Sequence, residues 1–298
     1  MRSDVTINSH GVRLSAWHYE AESDDLTTPR GRPCVVMAHG FGCTKDSGLD
    51  PFAQRFAAVG ADIIVFDYRG FGTSEGDQRQ FVDHRSHRED YHAAVAHARA
   101  LPGVDPDRIV LWGSSYSGGH VIAVAADDPL IAGVISQGAA MDGLAAVLEI
   151  WSYAGPRQLV RLTAHALLDM VFGLFRLRPH MIPIVGPPDA LAAISSDDSL
   201  PGYSSIVGPT FRNEMAARGI VPILFNRPVT SAKKLQMPVL LVIAAHDTIA
   251  PPSAAEKVAK RVRGPLRVER MDVGHFDIYL GDPFEMSVTA QVELVRSI

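Results

Sequence analysis

The sequence predicts an α/β protein with a mostly parallel, eight-stranded sheet flanked by helices and with an inserted, mostly helical cap. Three observations carry this prediction. Short apolar runs without polar alternation recur along the chain, which is typical of strands buried on both faces of a sheet. Helical patterns separate these runs, and strand, helix, strand is the order of a parallel sheet. One long interval near the middle of the chain breaks this alternation.

Eight segments have strand patterns. The first two flank His10 and Gly11 and predict an antiparallel hairpin, whereas the last alternates apolar with charged residues and predicts a half-exposed edge strand. A final helix is predicted from about Pro283. The eight segments are residues 5–8, 12–19, 34–38, 63–66, 109–112, 134–136, 239–244 and 266–270.

The interval 139–237 holds nine prolines among short apolar helical patterns, notably 144–151 and 159–175. It is too apolar for disorder, and structureless loops of that length are uncommon inside compact domains. We therefore predict a helical cap at 139–237 on an α/β core made of residues 1–138 and 238–298.

Composition excludes several classes of protein. The 298 residues carry 28 basic and 33 acidic side chains, a formal net charge of −5, with no basic block. Neither a nucleic acid nor a membrane partner is therefore predicted. Cys34 and Cys43 indicate neither a disulfide framework nor a zinc site, and the first residues lack a signal-peptide core. We predict a cytoplasmic protein with a small-molecule substrate; its oligomeric state stays open, and a homodimer is compatible with the sequence.

The strongest chemical signal is the segment 109–120, IVLWGSSYSGGH, in which a buried strand runs through small residues into a helical pattern. This pattern is typical of a nucleophile elbow, whose tight turn presents a serine above the sheet. Taking Ser115 as the nucleophile places Gly113 and Ser117 where the turn needs small side chains. Taking Ser117 instead would put His120 at such a position. We therefore predict Ser115, although Ser117 stands where the G-x-S-x-G pattern has glycine.

A candidate acid and a candidate base follow the elbow. Asp247 comes after the apolar run at 239–244, and His275 lies in VGHF after the last strand. His275 would accept the serine proton, while Asp247 would hold the imidazole tautomer and stabilise its charged form. Asp142 follows another strand and is a rival acid, because a loop there can also reach the histidine.

The segment HGFG at 39–42 follows the apolar run at 34–38. Glycines there let the backbone turn so that an N–H faces the elbow, which is the arrangement of an oxyanion hole. We predict the backbone amides of Phe41 and Tyr116 as donors to the oxygen that becomes negative during acyl transfer.

Two other motifs are interpreted as structural. In GFGTSEG at 70–76, Glu75 occupies the place of the third glycine of a dinucleotide fingerprint, so we predict a turn fixed by Asp67 and Arg69. The acids and histidines at 83–90 are interpreted as a solvated first helical turn rather than a metal site. No metal and no cofactor is predicted.

Together, the pieces HGFG, DYRGFGTS, GSSYSGGH, AAHDTIAP and VGHF resemble the α/β-hydrolase superfamily over nearly the whole chain. The elbow, with RNE at 212–214, is similar to cap-bearing bacterial hydrolases near the dienelactone-hydrolase-like and polyketide-processing enzymes. The resemblance implies Ser115 as nucleophile, Asp247 as acid and His275 as base, and it favours Asp247 over Asp142.

We predict a cofactor-independent serine hydrolase that cleaves a carboxylic ester, lactone or thioester through an acyl-enzyme. The apolar cap predicts a lipophilic substrate, because such pockets gain affinity from buried apolar surface, and Trp151 and Phe172 are expected to contact it. Two alternatives stay open. One is an acyltransferase that uses the same triad with an alcohol or amine acceptor, and the other is a non-catalytic ligand-binding protein on the same scaffold.

Overall fold

Ten strands are present in the computed structural model, which describes the whole chain, Met1–Ile298. They are β1 (Arg2–Ser9), β2 (Val12–Tyr19), β3 (Arg32–Ala38), β4 (Asp62–Phe66), β5 (Val104–Ser114), β6 (Ile131–Gln137), β7 (Met181–Ile182), β8 (Met215–Ala216), β9 (Val239–Ala244) and β10 (Leu266–Met271). Eight of them form one sheet in the order β1-β2-β4-β3-β5-β6-β9-β10. The pairs β1·β2 and β2·β4 are antiparallel and all later pairs are parallel, which confirms the predicted sheet.

Eight α-helices connect or cover these strands. They are α1 (Asp50–Ala58), α2 (His84–Arg99), α3 (Tyr116–Asp127), α4 (Gly143–Leu174), α5 (Ser199–Ile206), α6 (Ile220–Phe225), α7 (Pro252–Ala259) and α8 (Gly281–Ser297). Helices α1 and α7 have proline in the first turn, where a missing N–H costs no hydrogen bond. The last helix begins two residues before the predicted start.

The core lies on both faces of the sheet. Along β5, Ile109 and Leu111 pack into one buried cluster, whereas Val110 and Trp112 pack into the other. Successive side chains of a strand point to opposite faces, so an uninterrupted apolar run is needed when both faces are covered. The sequences of the central strands are therefore unbroken apolar segments, and these are the segments from which the fold is predicted.

Residues 139–237, which we call the helical insertion, lie between β6 and β9. The two predicted helical patterns form two helical segments of α4, which meet at a kink where the backbone of Gly155 is not helical (φ 70°, ψ 179°) and Pro156 follows. Proline lacks the N–H that would continue the helical ladder, so the kink falls there. The insertion also contains the β7·β8 pair, which the sequence patterns do not predict.

The first turn of α2 differs from the solvated turn predicted at 83–90. Asp83 caps the helix by accepting a backbone N–H, but His84 and His87 are buried. His87 stacks on Tyr68 with ring centroids 4.0 Å apart. Burial lowers the pKa of His87 well below 6.5, so the ring is neutral and packs as a core side chain.

No helix in the structure is long and apolar enough to cross a bilayer. Cys34 and Cys43 are both free and buried. The cytoplasmic location predicted from the sequence stays a prediction.

Candidate active site

Ser115 lies at the sharp turn between β5 and α3. Its backbone has φ 59° and ψ −120°, a conformation that L residues rarely adopt and that is typical of strained functional turns. Small neighbours make the turn possible, because a Cβ at Gly113 would collide with the backbone of Ser117, and one at Gly118 would collide with Ala139. The turn therefore has the local geometry predicted for a nucleophile elbow.

Ser117 occupies the position at which the sequence departs from G-x-S-x-G, and its hydroxyl is used inside the turn. It accepts the Ser114 N–H at 2.8 Å and lies 2.8 Å from the Ala38 carbonyl, to which it can donate. The side chain is fully buried. Ser117 thus ties the elbow to the end of β3, and its hydroxyl is turned to the backbone rather than to a substrate.

The three residues predicted from separate parts of the sequence meet above the carboxyl ends of the strands. His275 Nε2 lies 3.0 Å from Ser115 Oγ, and His275 Nδ1 lies 2.6 Å from Asp247 Oδ2. The other oxygen of Asp247 accepts the N–H groups of Ile249 and Ala250 at 2.9 and 2.7 Å. One oxygen of the Asp247 carboxylate is therefore fixed by the backbone, while the other contacts His275.

The environment of His275 sets its basicity. Burial alone would lower the pKa of the imidazole, but the charge of Asp247 and the hydrogen bond to it, with a contribution from Asp198, raise the pKa above 6.5. When Nδ1–H donates to Asp247, the lone pair of Nε2 faces the Ser115 hydroxyl. This arrangement can remove the serine proton and stabilise the imidazolium that results.

The loop after β3 passes directly beside Ser115. A Cβ built on Gly40 would lie 3.0 Å from the Cβ of Ser115, so glycine allows this close approach. The next residue, Phe41, is buried, and no backbone carbonyl accepts its N–H. Tyr116 begins α3, where N–H groups have no partner in the helix. Both predicted oxyanion donors therefore belong to backbone that borders Ser115.

Two further contacts hold this loop. The Tyr203 hydroxyl, from α5 of the helical insertion, donates to the Phe41 carbonyl at 2.9 Å. Lys45 Nζ donates to Asp67 Oδ2 at 2.8 Å in a buried ion pair, which links the loop to the turn after β4. Asp67 Oδ2 also accepts the Thr73 N–H at 3.2 Å, which fixes the turn at 70–76 as predicted, whereas the Arg69 side chain bonds to Asp90 instead.

Asp142, the rival acid, has other partners. It caps α4 by accepting the Leu144 N–H at 3.1 Å, and both of its oxygens accept from Arg227 at 3.0 Å. The acid that contacts His275 is Asp247.

A cleft of about 640 Å³, a volume that includes space open to solvent, borders Ser115. Ser115, Phe41 and Tyr116 form one wall, and the helical insertion forms much of the other. The walls are mainly apolar, with a few polar groups, which is typical of small-molecule sites. The residues that the insertion contributes are Ala140, Asp142, Gly143, Ala146, Glu149, Ile150, Tyr153, Ala193, Ile194, Ile223 and Asn226.

Residues 29–271 match the family described as serine aminopeptidase, S33, which is a family of α/β-hydrolases. The match covers most of the chain and includes Ser115 and Asp247. The chain belongs to this family. The α/β-hydrolase fold predicted from the motif resemblance is thereby confirmed.

Relatives of this S33 hydrolase include proteins named for several activities. This chain is 36% identical over 297 residues to the quorum-quenching protein AidA of Acinetobacter baumannii, and the match covers 99% of this chain and 94% of that protein. It is 29% identical over 275 residues to the thiohydrolase aneE of Aspergillus aculeatus, covering 89% and 86%. It is 26% identical over 302 residues to the polyketide transferase af380 of Aspergillus fumigatus, covering 99% and 98%.

Solved structures support the fold of this S33 hydrolase. The structure of DcsB with its substrate analogue superposes with a TM-score of 0.84 at 21% identity, covering 100% of this chain and 99% of the other. The α/β-hydrolase GrgF from Penicillium sp. sh18 superposes with a TM-score of 0.83 at 23% identity, covering 100% and 98%.

The two cap residues expected at the substrate lie elsewhere in the S33 hydrolase. Trp151 is 54% exposed, and Phe172 packs beside His180; neither lines the cleft. The helix presents Ile150 and Tyr153 to the cleft instead. Ile150 and Tyr153 follow Ala146 by four and seven residues, a spacing that places all three on one face of α4. This spacing is the signal in the sequence that identifies the residues of α4 that face the cleft.

Proposed function

We propose that this S33 hydrolase cleaves a carboxylic ester, lactone or thioester of a lipophilic acyl group through an acyl-enzyme on Ser115. The observation that carries the proposal is the chain of contacts from Ser115 Oγ through His275 to Asp247, 3.0 and 2.6 Å long. A serine hydroxyl is a weak nucleophile until a base accepts its proton, and His275 supplies such a base. The mainly apolar cleft beside it supports a lipophilic substrate.

In the acylation step, Ser115 Oγ attacks the carbonyl carbon and its proton passes to His275 Nε2. The carbonyl oxygen becomes negative and accepts hydrogen bonds from the N–H groups of Phe41 and Tyr116. The carbonyl reforms, the bond to the leaving group breaks, and His275 returns the proton to that group. Water then attacks the acyl-enzyme, with His275 as base, and releases the acid and free Ser115.

A second candidate is acyl transfer, in which an alcohol or amine takes the place of water in the second half of the reaction. Relatives named as polyketide transferases favour it, and the first half of the reaction is the same. The acceptor decides between the two reactions, because the acyl-enzyme is common to both.

The test combines active-site labelling with product analysis. A fluorophosphonate should label the wild-type chain at Ser115, with peptide mass spectrometry identifying the site, and should leave Ser115→Ala unlabelled. Esters and thioesters should then give the free carboxylic acid in water, and lactones should give the hydroxy acid. A product carrying an added alcohol or amine, at the expense of acid, would favour transfer; no labelling and no turnover would favour a ligand-binding protein.

A further inference from the structure

A second cavity adjoins the cleft at the nucleophile. It has a volume of about 980 Å³, including the part open to solvent, and lies entirely within the helical insertion between α4 and α6. Ile150, Ala193 and Ile223 line both spaces. These shared side chains place the two cavities next to each other, and Ser115 lines only the first.

The two cavities differ in chemistry. The cleft at Ser115 includes polar side chains, among them Glu149, Tyr153 and Asn226. All lining residues of the second cavity except Thr163 are hydrophobic. They are Val147, Ile150, Leu159, Leu162, Ala166, Leu167, Ala193, Ile220, Val221, Ile223, Leu224 and Phe225. A space of this composition offers a ligand apolar contact and almost no hydrogen bonding.

The polar side of the cleft leads elsewhere. Glu149 and Tyr153 also line a separate groove with Ser195, Ser196 and Asp198. The cleft at Ser115 therefore borders an apolar space at Ile150 and Ile223 and a polar groove at Glu149 and Tyr153. Burial of an alkyl chain is favourable only in the apolar space.

We propose that the second cavity is the subsite for the distal part of a long alkyl chain on the acyl group, which passes between Ile150 and Ile223. This deepens the proposed function and rests on it, since it places the acyl carbonyl at Ser115. The substrate class is then an ester, lactone or thioester of a long, apolar acyl chain. Each methylene that enters the cavity should raise kcat/KM by about fourfold, the factor equivalent to about 0.8 kcal/mol of burial.

The first experiment measures kcat/KM for p-nitrophenyl esters from two to twelve carbons, each below its micelle concentration. We expect kcat/KM to rise steadily with the length of the acyl chain, and to go on rising for chains too long to fit in the cleft at Ser115 alone. A flat profile, or one that falls after four carbons, would overturn the subsite while leaving the proposed hydrolysis intact. Absence of hydrolysis at every length together with absence of labelling would overturn the proposed function itself.

Two adjacent residues of α4 provide a matched pair of variants. Leu167 and Leu168 are both exposed in part, at 55% and 42%, but only Leu167 lines the second cavity. Leu167→Asp places a charge in the cavity wall and should lower kcat/KM for the decanoyl ester at least tenfold while leaving the acetyl ester unchanged. Leu168→Asp should leave both unchanged. Equal effects of the two variants, or equal effects on the two esters, would contradict the proposal.

A binding measurement separates the subsite from catalysis. Ser115→Ala should bind decanoate more tightly than butyrate, and addition of Leu167→Asp should remove the difference, as measured by calorimetry. The Ser115→Ala, Leu168→Asp protein is the control and should keep it. Equal affinity for both acids in Ser115→Ala would count against the subsite even if the wild type hydrolyses esters.

Discussion

The site at the strand ends and the helical insertion are built by different means. Ser115, Asp247 and His275 are each less than a tenth exposed, and each makes hydrogen bonds within the protein. The insertion exposes large apolar side chains at the end of α4, such as Leu174 and the next residue, Phe175, at 78% and 68%. The proposed catalytic side chains are held by strand ends and backbone amides, whereas the part of the cleft wall that the insertion contributes comes mostly from helices.

Substitutions should be tolerated unequally in the two regions. A change of one atom at the strand ends removes a fixed hydrogen bond, and the neighbouring groups cannot move to restore it. A change in the insertion alters the shape or polarity of an apolar wall, which affects substrates unequally. The following predictions test that contrast, beginning with the largest expected effect.

Ser115→Ala should abolish fluorophosphonate labelling and lower kcat by up to about a millionfold, because no other hydroxyl faces His275 Nε2. Kinetics with a chromogenic ester and in-gel labelling provide the measurement. Ser117→Ala is the control: it should keep labelling but lower the free energy of unfolding by about 1–3 kcal/mol, because the buried Ser114 N–H loses its acceptor. If Ser117→Ala lost labelling and Ser115→Ala kept it, Ser117 rather than Ser115 would be the nucleophile.

Asp247→Asn should lower kcat by about 10⁴, since the amide favours the wrong tautomer of His275 and cannot stabilise its charged form. Asp142→Asn should cost far less, because its partners are the α4 N-terminus and Arg227 rather than the histidine. Steady-state kinetics of both variants on one ester decides between them. A larger loss at Asp142 would reassign the acid.

The pH profile of kcat/KM tests the electrostatics of the site. His275 acts as base only when it is neutral, so activity should fall about tenfold per pH unit below its pKa. Because Asp247 raises that pKa above 6.5, the decline should begin at a higher pH than an ordinary histidine would give. In Asp247→Asn the residual activity should have a midpoint at lower pH; an unchanged midpoint would show that Asp247 does not act on His275.

Tyr203→Phe tests the contact that joins the two regions. Removing the hydroxyl frees the Phe41 carbonyl and should lower kcat about 2- to 10-fold, the equivalent of one ordinary hydrogen bond, with little change in KM. Tyr153→Phe, in the wall of the cleft, is the comparison and should act mainly on KM. Restoration of kcat in Tyr203→Phe by a stabilising osmolyte would point to a folding defect instead.

Trp151→Ala and Phe172→Ala should have the smallest effects. Neither side chain lines the cleft, so the ratio of kcat/KM for a long and a short ester should change less than about twofold. Kinetics on the two esters, with the melting temperature of each variant, provide the measurement. A loss of kcat/KM confined to the long ester would show that the substituted side chain contacts the substrate.

The residues that point to the site are recognisable in the sequence because local geometry demands them. The elbow needs small residues around Ser115, and the loop beside it needs Gly40, where a side chain would press on the nucleophile. Asp247 and His275 follow strands, and the carboxyl ends of parallel strands meet at one edge of a sheet. Short-range patterns of this kind predict the sheet and the order of the candidate site residues.

The wall of the cleft is decided only by tertiary structure. Trp151 and Ile150 are neighbours on α4, and the rotation of that helix against α6 places Ile150 inside and leaves Trp151 in solvent. Likewise, nothing local to Tyr203 indicates that its hydroxyl reaches the Phe41 carbonyl, 162 residues away. Local patterns suffice to predict the α/β fold and the candidate chemical groups, because close-packed turns and buried strands restrict residue type locally. Which side chains of the helical insertion face the cleft at Ser115 depends on how its helices pack, because apolar residues suit both a helix interface and a cavity wall.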